Sequence, residues 1–238
     1  MSKLKKRIEE IITQLKNRKI DFLTAWNEIK KLKDGYVEQK EVFKSAEQSW
    51  HSFIGKKFQE MVHLTIKNFI EKEKKSSPLL KGLTLLTESE VKKDEIISRK
   101  LSVKYGSFFL LPDVDSVLVN INEEDRWKSE ILAIISCKTS LRERIAQACY
   151  WKLKLLSSDA TKHIKVFLVT VDNDKDFTIE KGKRERFNGK SRNRIIAEFE
   201  LDGIYILRLD FKEEWQSENV KLYDKIFEDL LSLFKQAL

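Results

Sequence analysis

The chain has 238 residues, of which 41% are hydrophobic and 35% charged, with a formal net charge of +8. That length suits one large domain or a core with a small appendage, and the apolar fraction is enough for a packed core, which excludes a disordered chain. The charge favours a polyanionic partner while also serving solubility, no apolar run is long enough to span a bilayer, and the N-terminal residues do not form a signal-peptide core. Two cysteines, Cys137 and Cys149, lack metal-spaced companions. They exclude a zinc site and point to a reducing compartment, expected to be the bacterial cytoplasm.

Apolar residues at helical spacing (Ile8, Ile11, Ile12, Leu15, then Phe22, Trp26, Ile29) predict a helical hairpin over residues 3–33. Asp21 is its second N-cap, and Asp34-Gly35 is expected to end it with a left-handed glycine. Residues 1–40 thus form an N-terminal helical subdomain for DNA contact or dimerisation, and 41–238 a second domain. A long helix follows from Ser45 to about Lys75, broken by Ser76-Ser77-Pro78. Leu83 to Leu86 reads as a short strand and Glu88 to Lys100 as a helical or irregular connection. Strands are expected at Phe108–Ile121 and Glu130–Cys137, a helix at Arg142–Leu156, and a buried central strand at Ile164–Val171. Residues 181–194 form a basic loop, Ile204–Leu209 a strand and Glu218–Leu238 a closing amphipathic helix. The order predicts an α/β (α+β) fold with a mixed central sheet flanked by helices. Trp26, Leu230, Leu233 and Phe234 are candidates for an interface between subunits.

The chemistry concentrates between Pro112 and Arg144. Asp113 follows a proline at the start of an apolar strand, where it can equally be a turn residue. Lys138 closes the run Ile131-Leu132-Ala133-Ile134-Ile135-Ser136-Cys137, a place where a structural strand more often stops with Gly, Asn or Asp. A carboxylate and an ammonium at one sheet edge can hold a divalent cation and steady an attacking water, the chemistry of phosphodiester hydrolysis. Glu60, on the preceding long helix, can add an oxygen to a Mg²⁺ shell, or be an ordinary solvated glutamate. Arg142, Glu143 and Arg144 open the next helix, where cations oppose the macrodipole and so call for another reason; guanidinium forks match guanine in the major groove. The alternative for them is an exposed charged turn. Lys183, Arg184, Arg186, Lys190, Arg192 and Arg194 in the basic loop are candidates for phosphate contact, against a merely solvated loop.

Pro112-Asp113, Ser136-Cys137-Lys138 and Arg142-Glu143-Arg144 together resemble the type II restriction endonucleases that recognise CCGG or CCNGG cores, in the PD-(D/E)XK nuclease superfamily. The likeness covers about residues 45–172. It implies Asp113 as central acid, Lys138 as catalytic lysine, Glu60 as the preceding-helix glutamate and Mg²⁺ as cofactor. It implies guanine contacts for Arg142 and Arg144 and cytosine contacts for Glu143. The family often carries a further metal-binding glutamate on the helix after the lysine; here that neighbourhood reads Cys149-Tyr150-Trp151-Lys152-Leu153 with no acid. Gln147 can supply an oxygen there, or be a plain helix-surface residue. The expected partners are double-stranded DNA and a second copy of the chain, a homodimer or a higher assembly, because a palindromic site needs one reader per half. Two other readings stay open: a repair or structure-specific nuclease of the same superfamily, to which Gln147 four residues before Trp151 bears a faint likeness, and a DNA-binding protein without catalysis.

Overall fold

A computed structural model of the chain describes residues 3–38, 43–141, 144–182 and 185–236. The chain divides into two compact units, Met1–Asn68 and Phe69–Leu238. The boundary falls inside a continuous helix rather than near residue 40.

The first unit holds α1 (Lys3–Lys16), α2 (Phe22–Lys31), α3 (Lys33–Glu38) and most of α4 (Phe43–Ser76). On α1, Ile8, Ile11, Ile12 and Leu15 are buried, the stripe that 3.6-residue periodicity places on one side. Asp21 caps α2 as expected, its carboxylate accepting from Thr24 N. Phe58 of α4 is fully buried against the rings of Phe22 and Trp26, at 5.9 and 5.1 Å between centroids. Trp26 is therefore core and not interface. Nor is Gly35 the stop of the hairpin. The C-cap of α2 is Leu32 in right-handed conformation, its N–H reaching the carbonyls of Ile29 and Lys30, and Gly35 lies within α3.

Among the described residues the second unit is built on a six-stranded sheet in the order β1-β4-β5-β6-β7-β8, with a separate two-stranded β2-β3 pair. The strands are β1 (Leu83–Thr87), β2 (Val103–Tyr105), β3 (Phe108–Leu110), β4 (Ser116–Asn120), β5 (Glu130–Lys138), β6 (Lys165–Thr170), β7 (Gly203–Ile206) and β8 (Val220–Leu222). β1, β4 and β5 run antiparallel, while β5 through β8 are parallel. Parallel strands need crossovers. Two of them are α7 (Arg144–Leu156) between β5 and β6 and α8 (Arg192–Glu200) between β6 and β7; α5 (Glu88–Lys93) and α6 (Glu95–Leu101) precede β2, and α9 (Lys225–Gln236) ends the unit. From Ile131 onward every residue of β5 is buried, which is why it reads in the sequence as a continuous apolar run rather than an alternating one. The mixed sheet with flanking helices is the expected fold class. No helix among the described residues is long and apolar enough to cross a membrane.

Three segments differ from expectation. The single strand expected over 108–121 is two, because Pro112 offers no N–H and residues 111–114 pair with no strand before the backbone of Asp115 leads into β4. The basic stretch is not loop throughout, since Ser191 accepts from Arg194 N and caps α8. The closing helix starts only at Lys225, after β8, a strand of three residues that is too short to show periodicity. Leu230 and Phe234 on α9 are buried, so they belong to the core rather than to an interface.

Candidate active site

β5 carries Lys138 to the sheet edge, and β4 begins at Ser116, in register with Ile135. That register brings the residue just before β4 beside the end of β5. Asp115 N donates to Ile135 O at 3.1 Å, and Asp115 Oδ2 accepts from Cys137 N at 2.6 Å. The same carboxylate oxygen lies 3.6 Å from Lys138 Nζ, an ion pair whose side chains are 11% and 10% exposed. Burial pushes the Asp115 carboxyl above its ordinary range, and the neighbouring charge of Asp113 pushes the same way. The Lys138 ammonium and the Cys137 N–H pull it back without reversing the shift. A carboxylate and an ammonium held this way form a pair largely withdrawn from solvent.

Asp113 is tied to α7. It is exposed, and its Oδ2 accepts from Gln147 Nε2 on α7 at 2.6 Å. The structure thus assembles four side chains, Asp113, Asp115, Lys138 and Gln147, of which the sequence reading had three. Asp115 was missed, and the signal for it was present: Asp113-Val114-Asp115 alternates acid, apolar, acid, with Val114 buried. In extended chain that spacing sends both carboxylates to one side. Ser136, where the superfamily pattern has a second acid, is buried on β5.

A hard divalent cation fits this donor set. The charge of Asp113 helps to raise the proton affinity of Asp115, a repulsion a cation relieves, and the Gln147 amide offers a third oxygen once its donor is turned away. Mg²⁺ commonly takes only one or two protein carboxylates and keeps waters in its remaining positions. Among the described residues no group of three or more His, Cys, Asp or Glu side chains is arranged to hold a metal. Glu60 belongs to the first unit, where it accepts from Lys57 at 2.9 Å; Lys57 in turn reaches Glu9 at 2.7 Å.

Arg142 and Glu143 lie outside the described residues. Arg144 is exposed as the first residue of α7. The approach to that helix is tied down by Asp174, which accepts from both Ser140 Oγ and Leu141 N at 2.8 and 2.9 Å, and by Asn173, which donates to Thr139 O. Lys183 and Arg184 also lie outside the described residues. Their neighbours turn inward. Arg186 donates to Thr178 O at 3.0 Å and to Lys175 O at 3.1 Å, and Lys190 pairs with Glu198 at 2.6 Å. Arg194 is fully buried, bonded to Glu198, to Trp215 O at 2.6 Å and to Phe177 O. Its guanidinium satisfies the carbonyls of Phe177 and Trp215 together with the Glu198 carboxylate, so Arg194 holds this segment together and presents no surface for DNA. Arg192 is exposed.

Residues 90–229 match the family model described as BsaWI restriction endonuclease type 2. The chain belongs to that family. The matched span contains Asp113, Asp115, Lys138 and Gln147 and leaves out α1–α4, Glu60 included. Over 212 residues the chain is 36% identical to a putative type II restriction enzyme, MjaVIP, of Methanocaldococcus jannaschii, covering 86% of this chain and 85% of that protein. A probable type II restriction enzyme of Helicobacter pylori, HpyAORF263P, is 34% identical over 136 residues, 57% of this chain and 66% of that one. Among solved structures, the restriction endonuclease PspGI in complex with substrate DNA superimposes with a TM-score of 0.54 at 15% identity, covering 99% of this chain and 94% of PspGI. At that identity the likeness is one of fold. This member of the BsaWI family is a type II restriction endonuclease.

Proposed function

We propose that this enzyme hydrolyses phosphodiesters of double-stranded DNA with Mg²⁺, at a palindrome containing CCGG, and that Asp115 rather than Asp113 is the acid paired with the catalytic lysine. The observation that carries the reading is the buried Asp115–Lys138 pair at 3.6 Å, beside the exposed Asp113. Asp113 and Asp115 would hold the cation, with Gln147 orienting Asp113. When bound, the cation supplies positive charge that offsets the charge growing on the phosphoryl oxygens during attack. Lys138 keeps its ammonium aimed by Asp115, donates to a nonbridging oxygen and orients the attacking water. Neither cysteine serves as a nucleophile: both are buried, and burial raises both thiols above their ordinary range.

Arg142 and Arg144 contact guanines and Glu143 cytosine amino groups. Family membership and the exposure of Arg144 at the start of α7 support this assignment. A palindrome calls for a two-fold symmetric homodimer in which each subunit reads one half. Exposed Leu153 and Leu156 on α7 and Ile195, Ile196 and Phe199 on α8 offer it an apolar surface that the buried Trp26, Leu230 and Phe234 do not. The two buried free thiols agree with a reducing cytoplasm.

Plasmid digestion with Mg²⁺, with EDTA as control and the fragment ends sequenced, tests the reading. Discrete fragments whose ends fall in CCGG sites, absent in EDTA, are expected. A smear on branched or single-stranded substrates with no sequence preference would move the enzyme to the structure-specific nucleases, and intact DNA would leave only binding.

A further inference from the structure

The β2–β3 hairpin turns three consecutive large apolar side chains to solvent. Phe108, Phe109 and Leu110 are 71%, 65% and 50% exposed. The register pairs Tyr105 with Phe108 and Lys104 with Phe109, so one face carries two rings and the other a ring beside an exposed lysine. Gly106, at φ 59°, permits the tight turn that projects Phe108. A lone two-stranded hairpin is marginal in water, and this one is braced from below. Val103 is buried in the core, Tyr105 Oη and Tyr150 Oη are hydrogen-bonded at 2.8 Å, and Lys154 Nζ stands 5.0 and 5.7 Å from the centroids of those two rings.

Tyr150 sits on α7 three residues after Gln147, the residue that holds Asp113, and Leu110 precedes Asp113 by three. One helix therefore contacts both the acid and the hairpin, and the short run of chain between them keeps Phe109 and Phe108 within about 14–18 Å of Asp113. We propose that the hairpin is a wedge that enters the base stack next to the cleavage site, with Phe108 and Phe109 resting on bases and Lys104 taking a flanking phosphate. The inference rests on the nuclease reading of the acids. The chemistry of the tip favours a nucleic acid over a second copy of the chain. Aromatic faces stack on any base and apolar wedges open base steps, while Lys104, Lys154 and a net charge of +8 suit a polyanion. A symmetric contact between two such hairpins would bring the same cations together.

The test is permanganate reactivity of thymines across plasmid fragments bound by the full-length protein, with Ca²⁺ in place of Mg²⁺ to hold off cleavage. Wild type is expected to expose thymines at discrete places. Phe108→Ala/Phe109→Ala is expected to lose that reactivity and to bind about tenfold more weakly, with Phe109→Trp restoring it in the single-alanine background of Phe108. Both positions are at the surface, so the variants should fold. A double variant that still opens DNA, or a wild type that leaves every thymine stacked, would overturn the wedge. Loss of self-association in the double variant, with DNA opening unchanged, would overturn it in favour of a protein contact. A wild type that cuts with Mg²⁺ but does not open DNA defeats the wedge alone, whereas one that opens DNA and never cuts defeats the nuclease reading instead.

Discussion

Replacing Lys138 by Met removes the charge at the centre of the site and keeps most of the side chain's length and packing. Lys138 Nζ is 3.6 Å from Asp115 Oδ2, and both side chains are about nine-tenths covered. At that separation and an effective dielectric of about 20 the attraction is about 5 kcal/mol, much of it offset by desolvation of the two ions. In the variant the attraction disappears while the burial of Asp115 stays, so a carboxyl already held above its ordinary range is driven higher. The sign follows from linkage. A group whose folded pKa exceeds its unfolded one contributes stability below the unfolded value and loses it as pH rises through the folded value. Lys138→Met should therefore be close to wild type in stability near pH 4 and fall behind as pH rises. By pH 8 the loss should approach about 3–5 kcal/mol, the usual cost of orphaning one member of a buried pair. Cleavage should drop by roughly 10²–10³-fold at every pH. Urea unfolding at pH 4, 6 and 8 beside plasmid cleavage reads both. Equal destabilisation at all three pH values would refute the reasoning, as would a Lys138→Met/Asp115→Asn double variant no more stable at pH 8 than Lys138→Met alone.

Three further outcomes follow from the same geometry. Asp115→Asn should abolish cleavage and remove the loss of stability that wild type suffers as pH rises through the raised Asp115 pKa, so its Tm relative to wild type should climb between pH 4 and pH 7, on top of a constant cost for the unpaired Lys138 ammonium. Gln147→Glu places a second carboxylate 2.6 Å from Asp113, which should cost about 1 kcal/mol, roughly 2–4 °C in Tm, without divalent ions, and give a larger thermal upshift with Mg²⁺ than wild type shows. A calorimetric scan with and without the ion decides it. Arg194→Ala removes a fully buried cation that ties Phe177, Glu198 and Trp215 together, and should cost about 3–5 kcal/mol in urea unfolding; a surface residue engaged only with DNA would cost almost nothing.

The fold class was legible in the chain because its cues are local. β5 and β6 each bury successive residues on both faces, so their apolar runs announce central parallel strands without reference to any partner. Asp21 caps α2 through a bond to a residue three positions on, which any reading of the sequence can find. The family resemblance, too, rested on residues close in sequence to Lys138. β8 could not be seen because three residues carry no period, and Trp26 and Phe234 looked like interface because an apolar stripe does not say what will cover it.

Long-range placement lay beyond the sequence. Asp113 and Asp115 are two residues apart, and the Pro-Asp motif points to Asp113; only the β4–β5 register decides that Asp115 meets Lys138 while Asp113 meets Gln147. In the same way, a run of lysines and arginines at 181–194 is basic on paper, yet the carbonyls and carboxylates that fold around it turn Arg186, Lys190 and Arg194 into scaffold. Charge and periodicity belong to the chain. The direction a side chain takes depends on which distant backbone groups need a partner, and that is settled only when the strands have paired.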